Sequence, residues 1–267
     1  MHIHTAPDPR KDRRVDAVEA VRFAQTAGMR GLVLKCTYYP TTPVAAAVQH
    51  VAPEVKVFGS VALDYEAGGL NPLIVKMQAL IGAKVLWMPA MSAIPTRKHA
   101  GHNDGLAVLD SHGAVLPVVT EILKIVKEHN MVLASGHISF AETLAVFTEA
   151  KRLGITKLIA THPLTDIWPP MTMDEMKKLI SMGAYVEHCF LNLEPLMGCS
   201  TAAKFKEAIK VLGAEHTIMT TDMSQVTDPP PAEGMRMFIA TMLQVGITEA
   251  EVEFMVKTNP AKLLDLV

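Results

Sequence analysis

His2 and His4 stand two residues apart in Met1-His-Ile-His-Thr5. On a β-strand both imidazoles project from one face, because strand side chains repeat every two residues, and two rings so placed can close on one metal ion. Imidazole nitrogen suits zinc and related divalent cations. Three later apolar runs also end on residues able to ligate: Val132-Leu-Ala-Ser-Gly-His137, Leu158-Ile-Ala-Thr-His162 and Thr217-Ile-Met-Thr-Thr-Asp222. Singly, each has an ordinary structural reading, His137 as a helix cap and Asp222 as a turn former. Jointly, the four strand ends make His2, His4, His137, His162 and Asp222 candidate metal ligands.

Side chains so far apart in sequence meet only if their strands lie side by side and end on one face. Strand and helix patterns alternate along the chain with Gly or Pro punctuation. Eight strands are expected, at about residues 1–5, 31–36, 55–63, 84–88, 131–136, 157–161, 184–188 and 217–221. Helical patterns lie at about 15–27, 73–80, 118–128, 141–153, 173–182 and 202–212, each with apolar residues three or four apart. The strands are apolar throughout, as in a parallel sheet buried on both sides. Eight such units predict an α/β fold, a (β/α)8 TIM barrel, and the 267 residues fit one barrel domain spanning 1–267. In that fold all strand C-termini open onto one mouth. An open doubly wound sheet lacks its glycine-rich phosphate loop after the first strand. With so little chain before His2, either the first strand is short or the native chain starts upstream.

Composition narrows the partners. Hydrophobic residues are 49% of the chain and charged ones 19%, enough for a large core. A net charge of -2 gives no footprint for nucleic acid or an anionic membrane, leaving a small molecule as the expected substrate. No apolar stretch reaches the roughly 18 residues of a membrane span and no signal-peptide pattern opens the chain, so a cytoplasmic location is expected. Cys36, Cys189 and Cys199 form neither a paired framework nor a Cys-x-x-Cys motif. The 17 methionines and the apolar composition leave room for a homo-oligomer contact.

Other mouth candidates have alternatives. Lys35 ends the second strand, where a buried lysine is costly unless paired; it either contacts substrate or snorkels into the mouth. Glu187 and His188 end the seventh strand, and alternation sends only one of them inward. The stretch 89–115 is expected as a long loop, where His99 and His102 could clamp a polar substrate or simply be solvated. Tyr38 either lines the pocket or packs beneath that loop.

His2-Ile-His4, Gly136-His137, Thr161-His162-Pro163 and Thr221-Asp222, in that order along the whole chain, resemble the amidohydrolase superfamily of metal-dependent hydrolases, particularly its phosphotriesterase-like side. Pro231-Ala-Glu-Gly234 and Asn259-Pro-Ala-Lys-Leu-Leu264 look similar to that family as well. The resemblance implies one or two divalent ions, zinc before manganese or iron, that lower the pKa of water toward about 7. It implies Asp222 as the proton acceptor, with His162 or the metal polarising the substrate oxygen and Lys35 assisting, in hydrolysis of an amide, ester, lactone or phosphoester. Many binuclear members carry a carboxylated lysine at the fourth strand tip. Here Val85-Leu-Trp-Met-Pro89-Ala-Met offers no lysine or carboxylate, which leaves Lys35 as the one candidate replacement. Other readings are a polymerase-and-histidinol-phosphatase type phosphoesterase enlisting His99, His102 and Glu187, a lactonase or decarboxylase of the same superfamily, and a barrel that binds without turnover.

Overall fold

A computed structural model describes residues 1–165, 169–195, 197 and 199–266. Its elements run α1 (Ala17–Thr26), β1 (Gly31–Val33), α2 (Thr42–Val48), β2 (Lys56–Phe58), β3 (Ser60–Ala62), α3 (Pro72–Leu80), β4 (Val85–Trp87), α4 (Ile94–His99), α5 (Pro117–Glu128), β5 (Val132–Ala134), α6 (Phe140–Arg152), β6 (Leu158–Ala160), α7 (Met173–Ser181), β7 (Ala184–Cys189), α8 (Ala202–Leu212), β8 (Thr217–Thr220), α9 (Pro231–Gln244), α10 (Glu249–Glu253) and α11 (Asn259–Leu264). A π-helical turn, Phe254–Thr258, joins the last two.

All strand pairs are parallel: β1 with β2, and β3 through β8 in sequential order. β2 and β3 together make the third expected strand, split at Gly59. A Cβ there would stand 2.2 Å from Thr42 Cα, so the close approach of α2 requires glycine. The opening residues join the ends of the two ladders. Ile3 N–H donates to Val33 O (3.3 Å) and Lys35 N–H to Ile3 O (2.9 Å) on one side. On the other, Asp222 N–H donates to His2 O (2.8 Å) and His4 N–H to Met223 O (3.1 Å). The first strand is thus present in shortened form, one isolated bridge from Ile3 to Leu34, and the ring is that of a (β/α)8 barrel.

Side-chain parity splits the apolar residues into two layers. Val33, Ala62, Val85, Trp87, Val132, Ala134, Ile159 and Ile218 fill the barrel interior. Their alternates, among them Val61, Leu86, Leu133, Leu158 and Val186, face the surrounding helices. The same count decides which strand tips look into the mouth: Lys35 two residues past Val33, Asp64 two past Ala62, and Asp222 four past Ile218. α5 meets the outer layer with Val119, Ile122, Leu123 and Val126 on one face. Ser139 with Glu142 and Thr172 with Glu175 form capping boxes that start α6 and α7. The stretch 89–115 departs from the open loop expected of it, because α4 lies inside it with Pro95 in its first turn, where a fixed φ favours helix initiation. No helix among the described residues is long and apolar enough to cross a membrane.

Candidate metal centre

The strand tips bring the ligand candidates within hydrogen-bonding distance. His2 Nε2 lies 2.9 Å and His4 Nε2 3.0 Å from Asp222 Oδ1. His137 Nε2 stands 3.2 Å from His162 Nε2, and His162 Nε2 lies 4.0 Å from Asp222 Oδ2. His2 Nδ1 donates to Glu187 Oε2 at 3.1 Å, which leaves the Nε2 lone pair directed at the cluster. Seventh-strand parity therefore sends Glu187 inward to position His2. His188 turns outward and stacks on Phe205 at 4.6 Å.

Two of these tips need unusual backbone. Parity along β5 and β6 would aim His137 and His162 outward with Leu133 and Leu158. Gly136 at φ +59 redirects the chain before His137, and a Cβ there would sit 2.2 Å from Met88 O. His162 itself takes φ 29 and Asp222 φ 54. Left-handed conformations at non-glycine residues cost energy and gather where geometry serves function.

Burial sets the charge states. It pushes the His4 pKa down to about 3 and the His162 pKa to about 4, and His137 well below its usual value, so these rings are neutral. Burial also opposes charging His2, yet Asp222 and Glu187 outweigh it and raise its pKa. Asp222 is buried too, but His2 and His4 hold its carboxyl well below the ordinary range. Neutral imidazoles around an ionised carboxylate are the forms a divalent cation binds. Tetrahedral ligands about 2.0–2.1 Å from zinc stand roughly 3.3 Å apart, close to the separations within the cluster. His137 Nε2 and His162 Nε2 face each other at 3.2 Å between neutral rings, so the donor set fits a metal. A second trio, His2, Glu187 and Cys189, lies alongside, but burial pushes the Cys189 thiol well up and keeps it protonated.

Lys35 is buried with Nζ 2.9 Å from His2 Nε2 and 5.2 Å from the centre of the Trp87 ring, a cation–π contact. Trp87 fills the inward position of the fourth strand, 5.4 Å from the His2 ring. The remaining candidates lie apart from the cluster. Tyr38 is half-buried under the Arg10 guanidinium, and His99 and His102 are exposed. The 89–115 stretch reaches the cluster through Thr96 instead, whose Oγ1 is 3.3 Å from His137 Nδ1.

Sequence reasoning passed over two more charged groups. Asp64 is fully buried; Oδ1 accepts from Ala90 N–H (3.0 Å) and Ser92 N–H (2.6 Å), and burial pushes its pKa up to about 6. It ends the third strand, so the strand-tip logic applied to His137 and Asp222 finds it too. Arg13 Nη2 pairs with Asp8 at 2.6 Å and lies 3.5 Å from His4 Nδ1. Its place depends on the fold of the 5–16 loop, for which the sequence carries no signal.

The chain belongs to the family of unknown function DUF6282, whose model matches residues 1–187. The matched stretch carries the four clustered histidines and stops before Asp222. No curated protein matches the chain. Among solved structures, an amidohydrolase from Pseudomonas aeruginosa superposes with TM-score 0.67 at 11% identity, covering 98% of this chain and 93% of that one. A probable dipeptidase from the same organism gives 0.65 at 12% identity, with 96% and 89% covered. An organophosphorus hydrolase from Deinococcus radiodurans gives 0.62 at 14% identity, with 92% and 82% covered. The barrel is therefore of the amidohydrolase and phosphotriesterase-like fold, the fold implied by the histidine and aspartate motifs.

Proposed function

We propose that this chain is a metal-dependent hydrolase that cleaves an amide, ester, lactone or phosphoester bond of a small molecule in the cytoplasm. One observation carries the reading: four imidazoles and one ionised carboxylate from four strand ends converge in the barrel mouth. His2, His4, His137, His162 and Asp222 would hold a divalent cation, zinc by the imidazole-rich set, with manganese or iron as substitutes. Such a cation supplies Lewis acidity toward water and toward the substrate oxygen. Two features favour one ion over two. Trp87 takes the fourth-strand position, and the Lys35 ammonium already places a positive charge beside His2.

Asp222 takes a proton from the attacking water as the water oxygen bonds to the acyl carbon or phosphorus. It returns that proton to the leaving oxygen or nitrogen as the old bond breaks, so each cleavage consumes one water. Its Oδ1 lies 2.9 Å from His2 Nε2 and 3.0 Å from His4 Nε2. Lys35 and His162 stabilise negative charge developing on the substrate oxygen. Glu187 positions His2 and does not touch substrate. The phosphoesterase reading draws on His99 and His102 and finds less support, since both are exposed away from the cluster.

Elemental analysis of protein purified without chelator tests the reading, together with a panel of lactone, amide, ester and phosphomonoester substrates. About one equivalent of zinc, manganese or iron is expected, with turnover on at least one class. His2→Ala is expected to lose metal; full occupancy in that variant removes His2 from the ligand set. Metal-free wild type with no turnover rejects the hydrolase.

A further inference from the structure

His137 enters the cluster against the alternation of its own strand, so its position depends on what lies beside β5. The tip of the fourth strand lies there. Pro89 O accepts from His137 N–H at 2.9 Å. Met88 O and Pro89 O pack so closely on Gly136 that a Cβ there would stand 2.2 and 2.6 Å from them. Thr96, in the helix that follows this turn, places Oγ1 3.3 Å from His137 Nδ1. When Nδ1 donates to that oxygen, the Nε2 lone pair is left for a cation. The fourth-strand turn thus sets both the main chain and the ring of one ligand.

The turn is in turn held by Asp64. Its Oδ1 accepts from Ala90 N–H at 3.0 Å, next to Pro89, and from Ser92 N–H at 2.6 Å, just before α4. Ser92 Oγ accepts from Tyr65 N–H at 2.9 Å, so the ends of the third and fourth strands exchange bonds in both directions. Asp64, Ala90, Ser92 and Thr96 are all buried. Two N–H groups on one carboxylate oxygen form charge-assisted bonds, and a close-packed interior passes a shift at one end to the other. We propose that Asp64 is a positioning residue of the metal centre: its carboxylate holds the fourth-strand turn, and the turn holds His137. Oδ2, buried and without a partner among the described residues, takes no part in that hold. The inference rests on the reading of the mouth as a metal site with His137 among its ligands.

Zinc affinity of the full chain, measured by chelator competition, tests it. Asp64→Asn keeps Oδ1 as an acceptor and loses the charge, and it is expected to bind zinc as wild type does. Asp64→Glu keeps the charge and moves the carboxylate by one methylene, and it is expected to bind zinc about 10–100-fold more weakly. Should Asp64→Glu fail to fold, Asp64→Ala replaces it with the same expectation. The visible absorption of the cobalt(II) form follows ligand geometry, so it is expected to change in Asp64→Glu and to stay the same in Asp64→Asn. Asp265→Ala, on the opposite face of the barrel, is expected to keep full zinc affinity. A wild type that binds no zinc ends the metal reading and this inference with it. With zinc bound to wild type, the positioning role alone is overturned if Asp64→Asn weakens binding as much as Asp64→Glu, or if Asp64→Glu and Asp64→Ala bind as tightly as wild type.

Discussion

Two aspartates with nearly the same backbone conformation sit at opposite ends of the barrel: Asp222 at φ 54 in the mouth and Asp265 at φ 57 beneath it. Asp265 caps α11 and accepts from Lys84 and Lys157, both at strand entries, and from Asn130 Nδ2 at 3.0 Å. Its side chain is 48% exposed and every contact pairs opposite charge or donor with acceptor. Asp222 faces four imidazoles, three of them held neutral by burial. The lower cluster is complete as it stands. The upper one crowds imidazole nitrogens and a carboxylate that a divalent cation would bind together. In barrel enzymes the strand C-terminal face carries chemistry and the opposite face carries stability, and the two carboxylates sit on opposite faces.

The largest expected effect separates them by activity. Asp222→Asn keeps an oxygen for the metal and loses the proton acceptor, so turnover is expected to fall about 10²–10⁴-fold with metal retained. The same change at Asp265 is expected to leave kcat untouched. Parallel assays and metal analysis of the two variants check this; equal losses at both ends would erase the distinction.

Acid separates the two ends by stability. Histidines whose folded pKa is depressed bind protons more readily when unfolded. Their contribution is therefore present above pH 6.5 and lost as pH falls from 6.5 toward about 4 for His162 and about 3 for His4. At Asp265, burial opposes ionisation but Lys157 and Lys84 lower the pKa, so its contribution survives until pH drops below the ordinary carboxylate range. Metal-stripped protein is thus expected to lose Tm first between pH 6.5 and 4. His188 adds to that slope from behind the sheet. Burial pushes it to about 4 with neither ring nitrogen partnered among the described residues, and a shift from 6.5 to 4 is on the order of 3 kcal/mol. His188→Phe is expected to flatten the slope by that amount and leave the share of the mouth in place. An unchanged slope in chelated protein would mean the mouth histidines are not neutral.

The contrast also explains what the sequence made legible. The later strands are legible because buried parallel strands are apolar along their length, and His137, His162 and Asp222 because each closes such a run, whereas His2 and His4 are legible from their two-residue spacing. Parity alone leaves Glu187 and His188 equivalent, and Tyr185, packed against the barrel interior, sets Glu187 inward. α2 was hidden because Thr-Pro-Val-Ala-Ala-Ala-Val has no polar face to set a period. α4 is only six residues long, and α9 begins at Pro231 and contains Gly234, both of which read as loop. The approach of Arg13 to His4 and the exposure of His99 and His102 are tertiary facts. Nothing local distinguishes an arginine folded over the mouth from a histidine left in solvent.

The smallest effect concerns the lower cluster alone. Asp265→Ala leaves Lys84 and Lys157 converging without a counter-charge and Asn130 without its acceptor. Because the carboxylate is about half exposed, solvent screens much of the attraction, and the loss is expected near 1 kcal/mol. In a barrel of this size that lowers Tm by about 2–4 °C. High salt should shrink the difference between variant and wild type, since it screens exposed pairs. A drop in metal content or turnover alongside the drop in Tm would show that the strand entries are coupled to the mouth, and the two aspartates would then belong to one cooperative device.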